Sequence, residues 1–396
     1  MTMSHDPWPD AASAHRSEAV SIRSIGTAVP STVLEQSRIA ELFAQQPGIS
    51  RLASRLISSA FGASAIDRRH TVLSELDGTE RADPEFFDAR SGEVLAPSTG
   101  RRNDIYVQEV RPLLLEAAEE AINGAPSLEH ADITHVITVS CTGFMAPGPE
   151  YLLVRDLGLS PKTRRLHVGF MGCYGAFPAL RSAVSTCIAE PDAVVLIVCV
   201  ELCSLHVRSS EDPDSIVASS VFADGAAAVI VSARPAPHGS TILEVDRLDT
   251  ILTDDGESEM AWTIGDLGFE MVLSSAVPRI LEQQIDGALR PLLGSRAESP
   301  DSEANWDGIG QWAIHPGGRA ILDRVQRALH LSDAQLQPSR DILRDYGNMS
   351  SATVLFILQR LMHNGDSSSV DPRIAAVAFG PGLTVESALF SRRIVA

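Results

Sequence analysis

Residues 193–200 read AVVLIVCV, eight apolar residues with no polar side chain at alternate positions. A strand with one wet face alternates, whereas an unbroken β-branched run of this length suits a strand covered on both faces, as in a sheet between helices. Working outward, THVITVS (134–140) is another β-branched run, and RPLLLEAAEEAIN (111–123) before it carries apolar residues at helical spacing. Residues 167–170 form a short extended piece, followed by a mostly apolar helix over 174–189. Alternation of this kind specifies an α/β layered fold.

The second half repeats the theme. A helix is expected over 271–293, a strand ending at His315, helices over 318–329 and 349–363, and a strand pair around the turn at 380–382. AAAVIVS (226–232) and AAVAF (375–379) are loosely alike, which points to a duplicated architecture. The Pro- and Gly-bearing segment 235–240 is the expected boundary between a half spanning 19–234 and one spanning 241–396. Residues 294–306, rich in Ser, Glu and Pro, form a second loop. Residues 1–18 have neither a basic region nor an apolar run of the signal-peptide kind and read as a disordered extension.

At 396 residues the chain exceeds the size at which a single core stops growing. A net charge of −19 repels nucleic acid and anionic lipid, so neither is an expected partner, and any anionic substrate needs a local cluster of arginines. The longest strongly apolar run, 193–200, is far short of the ~20 residues a membrane helix needs. The five cysteines, Cys141, Cys173, Cys187, Cys199 and Cys203, form no CxxC pair, which argues against a disulfide framework and a zinc site and for a reducing cytoplasm.

Three turns carry candidate chemistry. VGFMGCYG (168–175) puts Cys173 between glycines at a strand-to-helix turn, where unsatisfied amides favour a thiolate; a small buried cysteine packing under the helix is the other reading. WAIHPGG (312–318) ends an apolar strand in His315, which is either a residue held in a cleft or an exposed turn histidine. DYGNMSSA (345–352) sets Asn348 at a helix start, where capping alone would account for it. Taken together, Cys, His and Asn on Gly-flanked turns form a catalytic set. No GxGxxG after a strand, Walker sequence or His/Cys cluster at ligand spacing signals a cofactor or metal.

GFMGCYGA (169–176), FADGAAAVIV (222–231), WAIHPGGRAILD (312–323), YGNMSSATVLFIL (346–358) and FGPGLTVES (379–387) resemble, in the same order, signature blocks of the bacterial type III polyketide synthases, the chalcone-synthase-like family of the thiolase superfamily. The resemblance spans roughly residues 20–396. It implies a homodimer with the thiolase fold, a duplicated five-layered αβαβα architecture. It also implies that Cys173 carries the acyl group as half of a thiolate–imidazolium pair with His315, and that His315 and Asn348 stabilise the enolate formed as malonyl-CoA loses CO2. Malonyl-CoA and an acyl-CoA are the implied partners, with no cofactor beyond the CoA thioesters.

By the same resemblance, Phe222 is a gate between CoA tunnel and cavity. A second gate falls at Met271 or its neighbour Phe269, and Cys141, Cys203, Trp262 and Ser350 line the cavity. The family's CoA-phosphate contacts do not carry over cleanly; Arg51, Arg55, Arg68 and Arg69 lie nearby in sequence. In CTGFMAPG (141–148) the small Ala146 suggests a tunnel near Thr142, Ala146 and Cys203 for a medium or long fatty acyl starter, giving an alkyl α-pyrone or alkylresorcinol. If Phe144 or Met145 refills that space, a malonyl-CoA-only naphthalene-type product is expected instead. A carrier-protein-dependent initiation ketosynthase shares the fold and the three residues but differs after the histidine and around the asparagine. A cysteine hydrolase or an inactive scaffold is a reading of another class, which CO2 release from malonyl-CoA tests.

Overall fold

The computed structural model describes residues 19–253, 256–274, 276–296, 306, 308–363 and 373–396. The expected disordered extension and most of the 294–306 loop lie outside them.

Nine strands make one large sheet: β1 (Ser21–Ala28), β2 (His135–Ser140), β3 (Arg164–Gly169), β4 (Val194–Leu202), β5 (Asp224–Ser232), β6 (Thr241–Leu252), β7 (Ile309–Ile314), β8 (Arg373–Gly380) and β9 (Thr384–Ile394). Their order is β7-β8-β9-β6-β1-β5-β4-β2-β3. Read outward from the antiparallel β1/β6 contact, the two sides mirror each other: two further antiparallel pairings lead to a parallel one, β4 with β2 on one side and β8 with β7 on the other. β3 adds a further parallel edge strand beyond β2.

The unbroken apolar runs are explained by what covers them. In β4, Val194, Leu196, Val198, Val200 and Leu202 face a cluster built on α1 (Thr99–Asn123), while Val195, Ile197 and Cys199 face α2 (Ala176–Ala189). In β8, Ile374, Ala376 and Ala378 share that inner cluster, whereas Ala375, Val377 and Phe379 face outward to α3 (Val277–Leu289) and α4 (Arg319–Ala328). Helix α5 (Asp333–Tyr346) also packs on the outer side, and α6 (Thr353–His363) lies inside with α2. Two sheet arms therefore enclose two central helices and are backed by outer ones, the five-layered αβαβα arrangement. Each fully buried Val, Leu or Ile contributes about 1.5–3 kcal/mol, so both faces of these strands are energetically committed.

Two expectations change. The helix placed over 271–293 starts only at Val277, because Met260–Gly265 and Gly268–Leu273 form an antiparallel hairpin pairing Trp262 with Met271. Pro278 in the first helical turn fixes the start of α3, and Gly268 at φ 118° turns the hairpin. The helix placed over 349–363 is a 3-10 turn, Ser350–Ala352, leading into α6. Among the described residues, no helix is long and apolar enough to cross a membrane.

Candidate active site

The three Gly-flanked turns follow the C-terminal ends of β3, β7 and α5. After β3, Phe170 and Gly172 take left-handed conformations, and the 3-10 turn Gly172–Tyr174 presents Cys173 ahead of α2. A β-carbon on Gly172 would lie 2.5 Å from Cδ of Pro381, in the turn between β8 and β9, so only glycine fits there. Cys173 is 8% exposed, and burial pushes its thiol up to about 12, opposed by the Ser350 hydroxyl and Asn348. Its Sγ lies 4.0 Å from Oδ1 of Asn348.

His315 follows β7, its N–H donating to the Val377 carbonyl at 2.8 Å, and is 1% exposed. Neither ring nitrogen has a hydrogen-bond partner, and burial depresses the imidazole to about 3. Asn348 is wired through its backbone: its N–H donates to Val221 O at 2.8 Å, and its carbonyl accepts from Ala223 N–H at 2.9 Å, a parallel bridge opposite Phe222. Its Oδ1 accepts from Ser350 N–H at 2.9 Å, so it caps the 3-10 turn as well as facing Cys173. Burial favours neutral thiol and neutral imidazole, and no hydrogen bond joins the two. Burial alone therefore favours the neutral pair, and a thiolate–imidazolium pair would place the Cys173 proton on a ring nitrogen of His315.

A narrow cavity of about 40 Å³ is lined among others by Cys203, His206, Phe222, Trp262, Phe269 and Met271; Phe222, bridged to Asn348, joins it to the three turns, whose Cys173, His315 and Asn348 are not themselves in its lining. Both candidates for the second gate, Met271 and the more deeply buried Phe269, lie in the cavity wall. Trp262 donates Nε1–H to the Cys141 carbonyl at 2.9 Å. Cys141 and Thr142 are buried on the carboxylate of Glu201, Thr142 donating its hydroxyl at 3.1 Å. The Thr142 hydroxyl also accepts from Leu202 N–H at 2.9 Å, which commits it to the wall. Ala146 sits on the exposed side of its loop and does not line this cavity. Ser350 Oγ lies 3.5 Å from Cys141 Sγ and acts on the Cys173 thiol, so one hydroxyl serves both sulfurs.

Two residues escaped the sequence reading. His206 is held neutral, burial lowering it to about 4. Its Nδ1 accepts from Phe269 N–H at 3.0 Å, so Nε2 donates to the Thr142 carbonyl at 2.8 Å. Its ring stacks on Phe269 at 4.1 Å and meets Trp262 edge-on. Glu201 is fully buried, and burial raises it to about 7. Both lie where the apolar run 193–200 passes into ELCSLH (201–206), and a polar residue closing such a run was the available signal. Of the four arginines, Arg51 and Arg55 are exposed on the Arg51–Ala63 helix, Arg68 pairs with Asp345 at 3.9 Å, and Arg69 is buried. Among the described residues, no cluster of His, Cys, Asp and Glu can hold a metal ion.

Comparison with known proteins agrees with this geometry. Residues 10–235 match the N-terminal domain model of the chalcone and stilbene synthases, and residues 247–394 match the C-terminal one. The chain is 31% identical over 378 residues to the alpha-pyrone synthesis polyketide synthase-like Pks18 of Mycobacterium tuberculosis, covering 93% of this chain and 90% of that protein. Among solved structures, the C-terminal type III polyketide synthase domain of Steely1 from Dictyostelium superimposes with a TM-score of 0.82 at 27% identity, covering 95% of this chain and all of that one. The 1,3,6,8-tetrahydroxynaphthalene synthase of Streptomyces coelicolor A3(2) gives 0.77 at 28% identity, covering 94% and 99%. With its thiolase fold, the chain belongs to the chalcone and stilbene synthase family, as a type III polyketide synthase.

Proposed function

We propose that the enzyme loads an acyl-CoA onto Cys173 and extends it by decarboxylative Claisen condensation with malonyl-CoA. The carrying observation is His315: an imidazole buried with both nitrogens unpartnered is built for a group that arrives with the substrate. The thioester oxygen of malonyl-CoA accepts hydrogen bonds from His315 and from the Asn348 amide. Charge then builds on that oxygen as CO2 departs, and a donor aimed there is worth about 3 kcal/mol. The enolate carbon attacks the Cys173 thioester carbonyl, the C–S bond breaks, and the chain is two carbons longer. Loss of CO2 drives the step, and the CoA thioesters suffice without flavin, nicotinamide or metal.

The favoured starter is a medium or long fatty acyl group, with an alkyl α-pyrone or alkylresorcinol as product; similarity to a protein named for alpha-pyrone synthesis supports it. The narrow, ring-walled cavity favours a second reading, a malonyl-CoA-only naphthalene-type product. Mass spectrometry of products from acetyl- to hexadecanoyl-CoA starters decides: a wild-type enzyme that ignores C8–C16 chains rules out the first reading.

The working form is a homodimer. The edge strand β3 leaves one row of backbone groups unpaired, with Leu166 on it and Phe144 on the adjacent loop each 45% exposed, and a second copy of the chain would cover them. A monomer in sedimentation equilibrium would count against this. Five buried free thiols are in keeping with the cytoplasm.

A further inference from the structure

Arg69 lies deep inside the protein. The Arg68–Thr71 strand, paired with Thr32–Glu35, turns its side chain inward, where it is 4% exposed. Nη1 donates to the carbonyls of Ser219 at 2.8 Å and Phe222 at 2.6 Å, at the end of the Pro213–Val221 helix, where backbone carbonyls have no helical partner. The guanidinium stands 5.6 Å from the centre of the Phe61 ring, and its charge is answered by the buried carboxylate of Asp224. Asp224 in turn accepts from Val72 N–H at 2.8 Å and Ser204 N–H at 2.7 Å, so it is fixed independently of Arg69.

What this arginine holds is more than a helix end. Residues 221–223 make the two-bond bridge to Asn348, and the middle residue, Phe222, is the one whose carbonyl Arg69 grips. The stem of Arg69 also packs on the residue before the asparagine. A β-carbon at Gly347, which has φ 72°, would lie 3.0 Å from both Cγ and Cδ of Arg69. One side chain therefore touches both strands of the bridge, with the gate on one and the oxyanion donor on the other.

We propose that Arg69 is a positioning residue that fixes Phe222 and Asn348 as a single unit; this rests on the role given to Asn348 above. Without the guanidinium, two buried carbonyls lose their donor and Asp224 its counter-charge, and the bridge shifts to recover them. Since displacement of a catalytic group by about 1 Å can cost roughly a hundredfold in rate, the loss should appear in kcat.

The test is malonyl-CoA decarboxylation by the full chain carrying Arg69→Met, Arg69→Lys, Asn348→Ala, and the Arg69→Met/Asn348→Ala pair. Arg69→Met should lower kcat about tenfold to a hundredfold, with KM within about threefold, and Arg69→Lys should recover part of the loss. In the Asn348→Ala background, Arg69→Met should cost less than about threefold more, because its effect passes through the missing amide. If the two losses multiply, or Arg69→Met keeps wild-type kcat while Asn348→Ala is slow, the inference is overturned alone. An Asn348→Ala enzyme at the wild-type rate overturns the reading of Asn348 and the inference with it. Should Arg69→Met not fold, Arg69→Lys carries the same comparison with Asn348→Ala.

Discussion

The floor and the roof of the site are held by different means. The floor, Cys173, His315 and Asn348, is fixed through backbone: glycines in left-handed turns, a carbonyl of β8 under His315, a reciprocal bridge under Asn348. The roof, the 260–273 hairpin with His206 beneath it, is fixed through side chains: stacked rings and two bonds to the successive carbonyls of Cys141 and Thr142. Backbone wiring leaves little room for sequence variation without loss of geometry, whereas ring packing tolerates exchange among large side chains at modest cost. On the proposed function, chemistry would rest with the floor and selectivity with the roof.

The largest effect expected is at the nucleophile. Cys173→Ala should abolish chain extension while malonyl-CoA decarboxylation persists, because His315 and Asn348 still meet the enolate; full-length polyketide from this variant would remove Cys173 as acyl carrier. Next, Asn348→Ala should slow decarboxylation by roughly 10²–10³-fold, the usual loss of one oxyanion donor, measured as CO2 release. A roof variant should behave differently. Trp262→Ala, which releases the Cys141 carbonyl and widens the cavity, should change the ratio of kcat/KM for long over short acyl-CoA starters by roughly tenfold and decarboxylation by less than about threefold. Equal losses in both assays would erase the division between floor and roof.

A smaller effect separates the two regions by pH. His206, at about 4 when folded, lies below the ~6.5 of an unfolded histidine, so its contribution is complete above pH ~6.5 and lost on acidification toward 4. Glu201, raised to about 7, acts oppositely: its contribution is complete below the ~4.3 of an unfolded glutamate and lost as pH rises through 7. Between pH 7 and 5, His206→Phe should therefore flatten the fall in denaturant midpoint and Glu201→Gln should steepen it, each by at most about 1.4 kcal/mol per pH unit. Opposite changes would mean the two groups titrate otherwise than their burial dictates.

The layered fold was legible from 193–200 and its neighbours because strands buried on both faces advertise themselves as unbroken apolar runs. β1 was not, though it lies at the middle of the sheet: SIRSIGTA interleaves Arg23 and Ser24, which are buried and polar and bond to Arg234 O and Ala121 O. The hairpin was hidden for another reason. Apolar residues in GFEMVLSSAVP (268–278) run straight on into α3, and nothing local distinguishes the two periods until Pro278. The floor residues stood out because Cys173 and Asn348 directly follow glycines at positive φ, Gly172 and Gly347, and His315 opens a Pro-Gly-Gly turn. Arg69 gave no such signal, since an arginine in a run of charged residues reads as a solvated face until its partners 150 and 153 positions away are known.

The bare imidazole of His315 also has a thermodynamic consequence. A buried donor and acceptor left without partners cost about 1–3 kcal/mol each, a debt the folded enzyme carries whenever substrate is away. His315→Leu, of similar bulk and with nothing to solvate, should therefore be inactive in decarboxylation and yet melt at a higher temperature than the wild type. On the proposed function, the less durable protein is kept because the groups that loosen the fold would be the ones that hold the enolate.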